Sequence, residues 1–494
     1  MRRISDPEDT ASRALALVEL DPSQRRVAEL PAGRAALVLG EAGHGKTTVA
    51  IHRLRYLSRI AETSRRADGS RKRWRAAVVV PSEGLRGLIE RALVRLGVDV
   101  PALTFDGFAR KQARRAFGDV PRVESHDATP ATVRLKRDPA LATALREISE
   151  STPGLIDDDE DAPPVETGAH AVRGDLQHLF GDRALVTRVI AASNGRIPGH
   201  AAVELLEHTR VQFSVASEAA LWHVDADRKV TLDRRSLDAG TPEGDAGTID
   251  PEDYAVLFEL DRLRAARRGV PATRPRPYDC LVIDEAQEMA PVELALLGRS
   301  LARGGSLVVA GDADQQLDER ACFEGWGATM RSLRAEDYER FVLDVGYRCP
   351  PEVVALARRV LSEATPSPLK GAQVHELVSD TELATWLAAR FEAITGSEPR
   401  TTIAVIVRSP LVARRLAESL RVHLPVRLVW RGDFRFAPGI DVTTVDQVRG
   451  LEFDHVVVPD ATTGVYGPDA ASRRALYVAV TRARKTVTLA ALTR

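Results

Sequence analysis

Short apolar runs recur along the chain, each closed by glycine, proline or charge. Ala35 to Leu39 ("AALVL") stops at Gly40, Ala76 to Val80 ("AAVVV") leads into Pro81 and Ser82, and Cys280 to Ile283 ("CLVI") ends on Asp284 and Glu285. "TIAVIVRS", Thr402 to Ser409, and "HVVVPD", His455 to Asp460, repeat the form. Apolar runs without polar alternation predict strands buried on both faces, as in parallel sheets. Stretches of helical period follow, such as "KTTVAIHRLRYL" from Lys46 and "EGLRGLIERALVRLG" from Glu83. The succession of strand and helix predicts an α/β fold with helices covering parallel sheets.

The middle of the chain breaks this rhythm. From about residue 109 to 274 the pattern is mixed and mostly helical. Within it Ser151 to Gly168 ("STPGLIDDDEDAPPVETG") is rich in Pro, Gly and acid, lacks apolar periodicity, and is expected to be a mobile loop. With 494 residues the chain exceeds what one core holds, and 44% hydrophobic and 28% charged residues are ordinary for a globular protein. A net charge of −1 rules out attraction of the whole molecule to nucleic acid, so any such surface has to be local. Cys280, Cys322 and Cys349 lack disulfide or metal spacing, as expected in a reducing compartment. No apolar run reaches the ~18 residues of a membrane span and the first ten residues lack a signal-peptide core. The expectation is a cytoplasmic protein without a membrane partner.

The first strand runs into a phosphate-binding pattern, G-x-x-x-x-G-K-[ST], at Gly40, Gly45, Lys46 and Thr47, with Gly43 and Thr48 in the same loop. Glycines let backbone N–H groups curl around phosphates, and the helix from Lys46 adds its positive end. Lys46 is expected to reach the outer phosphates and the Thr47 hydroxyl to hold Mg²⁺. A carboxylate is needed to anchor that ion, and Asp284 stands at a strand tip, where open α/β sheets bind ligands. Glu285 beside it is placed as the base that orients or deprotonates water. An Asp-Glu pair after a strand also reads as a helix cap. Combined with the phosphate loop, the pair predicts hydrolysis of ATP with Mg²⁺.

The order and wording of further motifs resemble the superfamily 1 DNA helicases of the UvrD/Rep/PcrA type, over nearly the whole chain except its middle. "DPSQRR" resembles the Q motif, which implies that Gln24 reads the adenine edge. "LTFDGFA", Leu103 to Ala109, resembles a segment touching single-stranded DNA, implying Thr104, Phe105 and Phe108 as contacts. "VVAGDADQQ" resembles motif III, with Gln315 coupling the γ-phosphate to the nucleic-acid track. "GYRCPPEVV" implies Tyr347 stacking on adenine and Arg348 on the γ-phosphate. "VTTVDQVRGLEFDHVVV" resembles motif V, with Gly450 and Glu452 near the ribose and Thr444 near DNA. "LYVAVTRAR" resembles motif VI, with Arg482 as an arginine finger. The resemblance implies two RecA-like P-loop domains with parallel sheets: residues 1–108 with 275–338, then 339–494. A mostly helical insertion, 109–274, interrupts the first. It also implies ATP-driven, 3′ to 5′ movement along single-stranded DNA.

Three departures qualify that reading. Only residues 349–441 separate the segment around Arg348 from motif V, so the accessory domain of the family is expected to be absent or vestigial. Motif III of the family continues with stacking aromatics, whereas here "QLDERACFEGW" places Leu317 and Asp318 first and Phe323 and Trp326 later. Trp326 is thus either a base contact or interdomain packing, and Phe105 and Phe108 are either base contacts or core. The basic run Ser64 to Arg75, with Trp74, is either a backbone contact or a solvated loop. Lastly, "KTTVAIHRLRYL", "LKRDPALATAL" and "FEGWGATM" resemble the HelD branch. That implies an alternative in which the ATP cycle acts on a protein partner such as RNA polymerase or a DNA-processing nuclease.

Overall fold

Alternate residues of the central strands feed two different apolar layers, which is why their sequences are apolar throughout. In the computed structural model, residues 10–63, 74–118, 120–150, 170–214, 246–346, 349–362, 364 and 367–492 are described. The acidic stretch 151–168, most of the basic run 64–75, Tyr347 and Arg348 lie outside the described residues. The first sheet contains β1 (Ala35–Gly40), β2 (Ala76–Val80), β3 (Ala102–Thr104), β4 (Tyr278–Ile283), β5 (Leu301–Gly311) and β6 (Tyr338–Leu343). They pair in parallel, in the order β3-β2-β4-β5-β1-β6. The second sheet, also parallel, has β7 (Val374–Leu377), β8 (Thr402–Val407), β9 (Val426–Leu428), β10 (Gly439–Thr444), β11 (Phe453–Val458) and β12 (Ala483–Leu492), ordered β7-β12-β11-β8-β10-β9.

Ala36 and Val38 of β1, Val78 of β2 and Val282 of β4 enter one apolar cluster, shared with the helix Lys46–Thr63 and continuing into Val456 and Leu476 of the second unit. Leu37, Val79 and Ile283, one position away, enter another, shared with Leu135, Ile148 and Phe258 of the inserted helices. One face of the first sheet thus carries the second unit and the other the insertion. A third cluster joins Ile403 and Val405 of β8 to Leu387 and Phe391 of the helix Asp380–Ser397.

β6 pairs with β1, so the first sheet runs to Leu343, past the boundary expected at 338. Its sequence, "YERFVL", alternates in exposure because at this edge of the sheet one face is left uncovered, with Arg340 and Val342 outward and Phe341 and Leu343 inward. The inserted segment supplies the helices Pro130–Arg137, Leu141–Glu150, His170–Gly181, Arg183–Ala192, Ala201–Gln212 and Asp253–Arg268. At their centre Lys136 is fully enclosed, 2.6 Å from Asp250 and 2.7 Å from Asp253, with His208 2.8 Å from Asp250. Residues 349–441 are spent on the helix Pro351–Leu361, β7, β8, β9, part of β10 and the helices Asp380–Ser397 and Pro410–Leu420. Among the described residues no helix is long and apolar enough to cross a membrane.

Candidate functional site

β1 and β4 flank β5, so their C-terminal tips open on one side of the sheet. From the tip of β1 the chain turns through Gly43 and Gly45, with φ of 78° and 83°, into the helix beginning at Lys46. Gly45 is needed twice over: its φ is left-handed, and a Cβ there would stand 2.6 Å from Gln24 Nε2. Gln24 sits in a capping box with Asp21 at the start of the helix Pro22–Ala28 and donates from Nε2 to the His44 carbonyl at 3.4 Å. In this structure Gln24 braces the phosphate loop rather than facing outward. Lys46 Nζ donates to the carbonyls of Gly40 (2.7 Å) and Glu41 (3.0 Å), so a buried ammonium spans the loop's mouth. Thr48, behind it, is buried in the helix.

The Thr47 hydroxyl donates to Asp284 Oδ2 at 2.6 Å, across 237 positions of sequence. Burial, then the adjacent Glu285 carboxylate, push the Asp284 carboxyl up to about 7 against the pull of Thr47 and Lys46. Two hard oxygen donors side by side fit Mg²⁺, which takes most of its ligands from water and substrate phosphates. Among the described residues no group of three or more His, Cys, Asp or Glu is placed to hold a metal ion. Glu285 has φ 53° and ψ 43°, a left-handed conformation that costs a residue with a side chain about 1–3 kcal/mol. Its carboxylate accepts from Gln287 Nε2 and makes no capping bond to the following turn, so the helix-cap reading of the pair does not describe it.

The second unit supplies the opposite wall. Gly450, Glu452, Thr481 and Arg482 face Ala42, Gly43, Gly45, Lys46, Thr47, Glu285 and Gln315 across a narrow cleft. Gly450 has φ 68°, and a Cβ on it would lie 2.8 Å from Leu85 of the first unit, so the two units meet where a side chain has no room. Glu452 is held by Arg484 at 3.2 Å. Arg482 donates to Val478 O (3.0 Å), Leu451 O (3.4 Å), Thr481 Oγ1 (3.1 Å) and, across the cleft, Gln315 Oε1. Gln315 is set by its own bond to Asp312, 2.7 Å. All these acceptors are neutral, although Arg482 is 4% exposed. A buried guanidinium with no carboxylate partner among the described residues, aimed into a cleft opposite a phosphate-type loop, is suited to an anion there.

The expected nucleic-acid contacts do not assemble in the same way. Thr104 caps the helix Phe105–Ala116, accepting from Gly107 N at 3.2 Å. Phe105 and Phe108 are buried on the apolar side of that helix, and the Phe108 ring lies 5.7 Å from Tyr278, so neither offers a free face to a base. The structure makes them core residues because the insertion covers them. Trp326 is half-buried, edge-on to Phe323 at 4.9 Å and pressed against Gly311 at the end of β5. Its packing is therefore within the first unit, not between units. Thr444 is buried at the end of β10.

Sequence reasoning passes over several residues that the structure brings to this region. His44 Nδ1 lies 2.6 Å from the Leu343 carbonyl, joining the phosphate loop to the end of β6. Glu288, Asp318, Arg137 and Arg449 meet in one buried cluster beside the cleft. Arg137, Asp318 and Arg449 lie in stretches quoted above, but nothing local gives them a role, because only their pairing across distant segments is distinctive.

Residues 439–490 match the family model described as the UvrD-like helicase C-terminal domain, the segment that carries Gly450, Glu452 and Arg482. The ATP-dependent DNA helicase UvrD2 of Mycobacterium tuberculosis (strain H37Rv) and that of Mycobacterium bovis are each 27% identical over 422 residues, covering 79% of this chain and 52% of theirs. The chain thus spans about half the length of the curated relatives it matches. Among solved structures, the C-terminal domain of a possible DNA helicase from Lactobacillus plantarum WCFS1 covers 30% of this chain and 88% of its own, at 23% identity. Its TM-score of 0.26 is too low to carry an argument. These similarities are to UvrD-type helicases.

Proposed function

We propose that the chain is an ATP-driven DNA motor of the superfamily 1 helicase type, moving 3′ to 5′ along single-stranded DNA. The observation that carries this reading is the convergence of Lys46, Thr47, Asp284 and Glu285 with Arg482 of the other unit in one cleft. In this reading Lys46 releases the carbonyls of Gly40 and Glu41 to hold the outer phosphates. Glu285 orients the attacking water and takes its proton. Mg²⁺, when bound beside Thr47 and Asp284, offsets phosphate charge. Arg482, still held by Gln315, turns a second guanidinium nitrogen to the phosphoryl oxygens and stabilises the charge they carry in transfer. Open space in the cleft is about 30 Å³, and sites for ligands of this size hold about 300–1,000 Å³. In this reading each binding event parts the two units, and each closure brings Arg482 back. That cycle is the motor stroke.

DNA as the track is supported by the likeness to proteins named DNA helicases. The same likeness favours nucleic acid over a protein partner as what the motor acts on. A test is steady-state ATP hydrolysis without nucleic acid, with single-stranded DNA and with blunt duplex, alongside Lys46→Ala. The expected result is hydrolysis stimulated by single strands, falling steeply as salt rises, and absent in the variant. Turnover in Lys46→Ala would refute the assigned site. Turnover indifferent to DNA would refute the track.

A further inference from the structure

Glu288 stands one turn beyond Asp284 and Glu285 and is 3% exposed. Its oxygens accept two hydrogen bonds and form one ion pair, from two directions. The backbone N–H groups of Leu317 and Asp318 donate at 2.6 and 3.0 Å, fixing the loop that follows Gln315. From the second unit, Arg449 NH1 approaches to 3.1 Å, and its other nitrogen holds Asp446 at 3.0 Å. Arg449 immediately precedes Gly450, which with Glu452 lines the cleft.

The same loop is gripped by the insertion. Asp318 receives Arg137 NH1 at 2.6 Å and Arg320 Nε at 2.7 Å. Arg137 also holds Glu293 at 2.9 Å and the Glu288 carbonyl at 2.9 Å. Three buried carboxylates, Glu288, Glu293 and Asp318, and the more exposed Asp446 thus face three guanidinium groups, Arg137, Arg320 and Arg449. Of the three guanidinium groups only Arg449 belongs to the unit that moves. A second cross-unit pair, Arg474 with Glu319 at 3.0 Å, lies alongside. Were the units to part, Arg449 would leave Glu288 while Arg137 and Arg320 would stay with Asp318. The loop would then keep those two partners and lack one cation. Since Gln315 and Asp318 are three residues apart in that loop, the motion that seats Arg449 on Glu288 also seats Arg482 on Gln315.

We propose that Glu288 and Arg449 are positioning residues whose ion pair sets the closed register of the cleft, braced from the insertion by Arg137 on Asp318. The inference rests on the hydrolysis assigned above. Neither Glu288 nor Arg449 lines the cleft, so the effect of the pair is on delivery of Arg482 rather than on nucleotide capture.

The experiment compares ATP hydrolysis and the affinity for a fluorescent ATP analogue in the full chain, Arg449→Ala, Arg449→Lys, Glu288→Gln and Glu288→Gln/Arg449→Ala. For Arg449→Ala and Glu288→Gln the expected result is a fall in kcat of about tenfold or more, within the ordinary range of coupling between sites, with affinity changed by less than about threefold. Arg449→Lys, which keeps the charge, should recover part of the loss. The double variant should be no slower than the slower single one, because both changes break one pair. Unchanged kcat in the single variants, additive losses in the double variant, or a loss carried by affinity would overturn the inference while leaving wild-type hydrolysis and the inactive Lys46→Ala control to uphold the reading beneath it. A wild-type chain without turnover would overturn both. Should Arg449→Ala fail to fold, Arg449→Lys and Glu288→Gln, close to the parent in shape, decide the matter by the same split.

Discussion

Replacing Arg482 by methionine separates a functional arginine from a structural one. A buried ion costs several kcal/mol even after the protein relaxes, and hydrogen bonds to a charged group return about 1.5–3 kcal/mol each. Arg482 has four such bonds, one of them long at 3.4 Å, and all to neutral oxygens. The two sides are of similar size, so Arg482→Met should move folding stability by no more than about 2 kcal/mol in either direction. Its effect on rate should be far larger. An arginine finger is worth 10³-fold or more in kcat, about 4 kcal/mol of transition-state stabilisation. Steady-state hydrolysis, binding of a fluorescent ATP analogue and a thermal melt on one preparation measure all three quantities. The expected result is kcat lower by about 10³-fold, affinity nearly kept and a melt within a few degrees of the parent. Arg482→Lys should recover little, because an ammonium lacks the planar fork that reaches Gln315 and a phosphoryl oxygen together. A loss in kcat below tenfold, or a collapse of the melt that accounts for the lost activity, would refute the role.

Glu285→Gln should slow hydrolysis by about 10²–10⁴-fold while nucleotide affinity is retained, and unchanged turnover would remove it as the base. Lys136→Met strands Asp250 and Asp253 together in the insertion, and should cost about 3–5 kcal/mol in urea unfolding, with a loss under 1 kcal/mol counting against the buried triad. Burial pushes the Asp460 carboxyl up to about 6, against a hydrogen bond from the Arg408 backbone N–H and the charge of the Arg408 guanidinium. Because that folded value lies above the unfolded one, the folded state holds the proton more tightly, and ionisation between about pH 4 and 6 should cost up to about 3 kcal/mol, fully felt above pH 6. Asp460→Asn should remove that component, so the stability difference between variant and parent grows over this window; a difference flat in pH would refute it.

Strand identity was readable because a strand covered on both faces needs apolar residues at every position, and β1, β2 and β4 obey that rule. β6 was not readable, since one of its faces is left uncovered at the edge of the sheet and "YERFVL" looks like a boundary. The phosphate loop was readable from glycine spacing, a demand made within six residues. Phe105 and Phe108 were ambiguous for the opposite reason: an aromatic residue in a contact motif and one in a core have the same side chain, and what covers it comes from residues far along the chain. Gln24 was placed near adenine by resemblance; its bond to the backbone of the phosphate loop is a contact that no local pattern gives.

The amino-acid sequence by itself determined the alternation of strand and helix, the turn at Gly43 and Gly45, and the presence of Asp284 and Glu285 at a strand tip, because each depends on local sterics and local apolar period. Tertiary structure decided that Thr47 meets Asp284, that Arg482 reaches Gln315 with no carboxylate partner among the described residues, and that Glu288 receives Arg449. The energy of a charge is set by its burial and by its partners, and both are properties of chain segments that meet only when the two sheets and the insertion pack together.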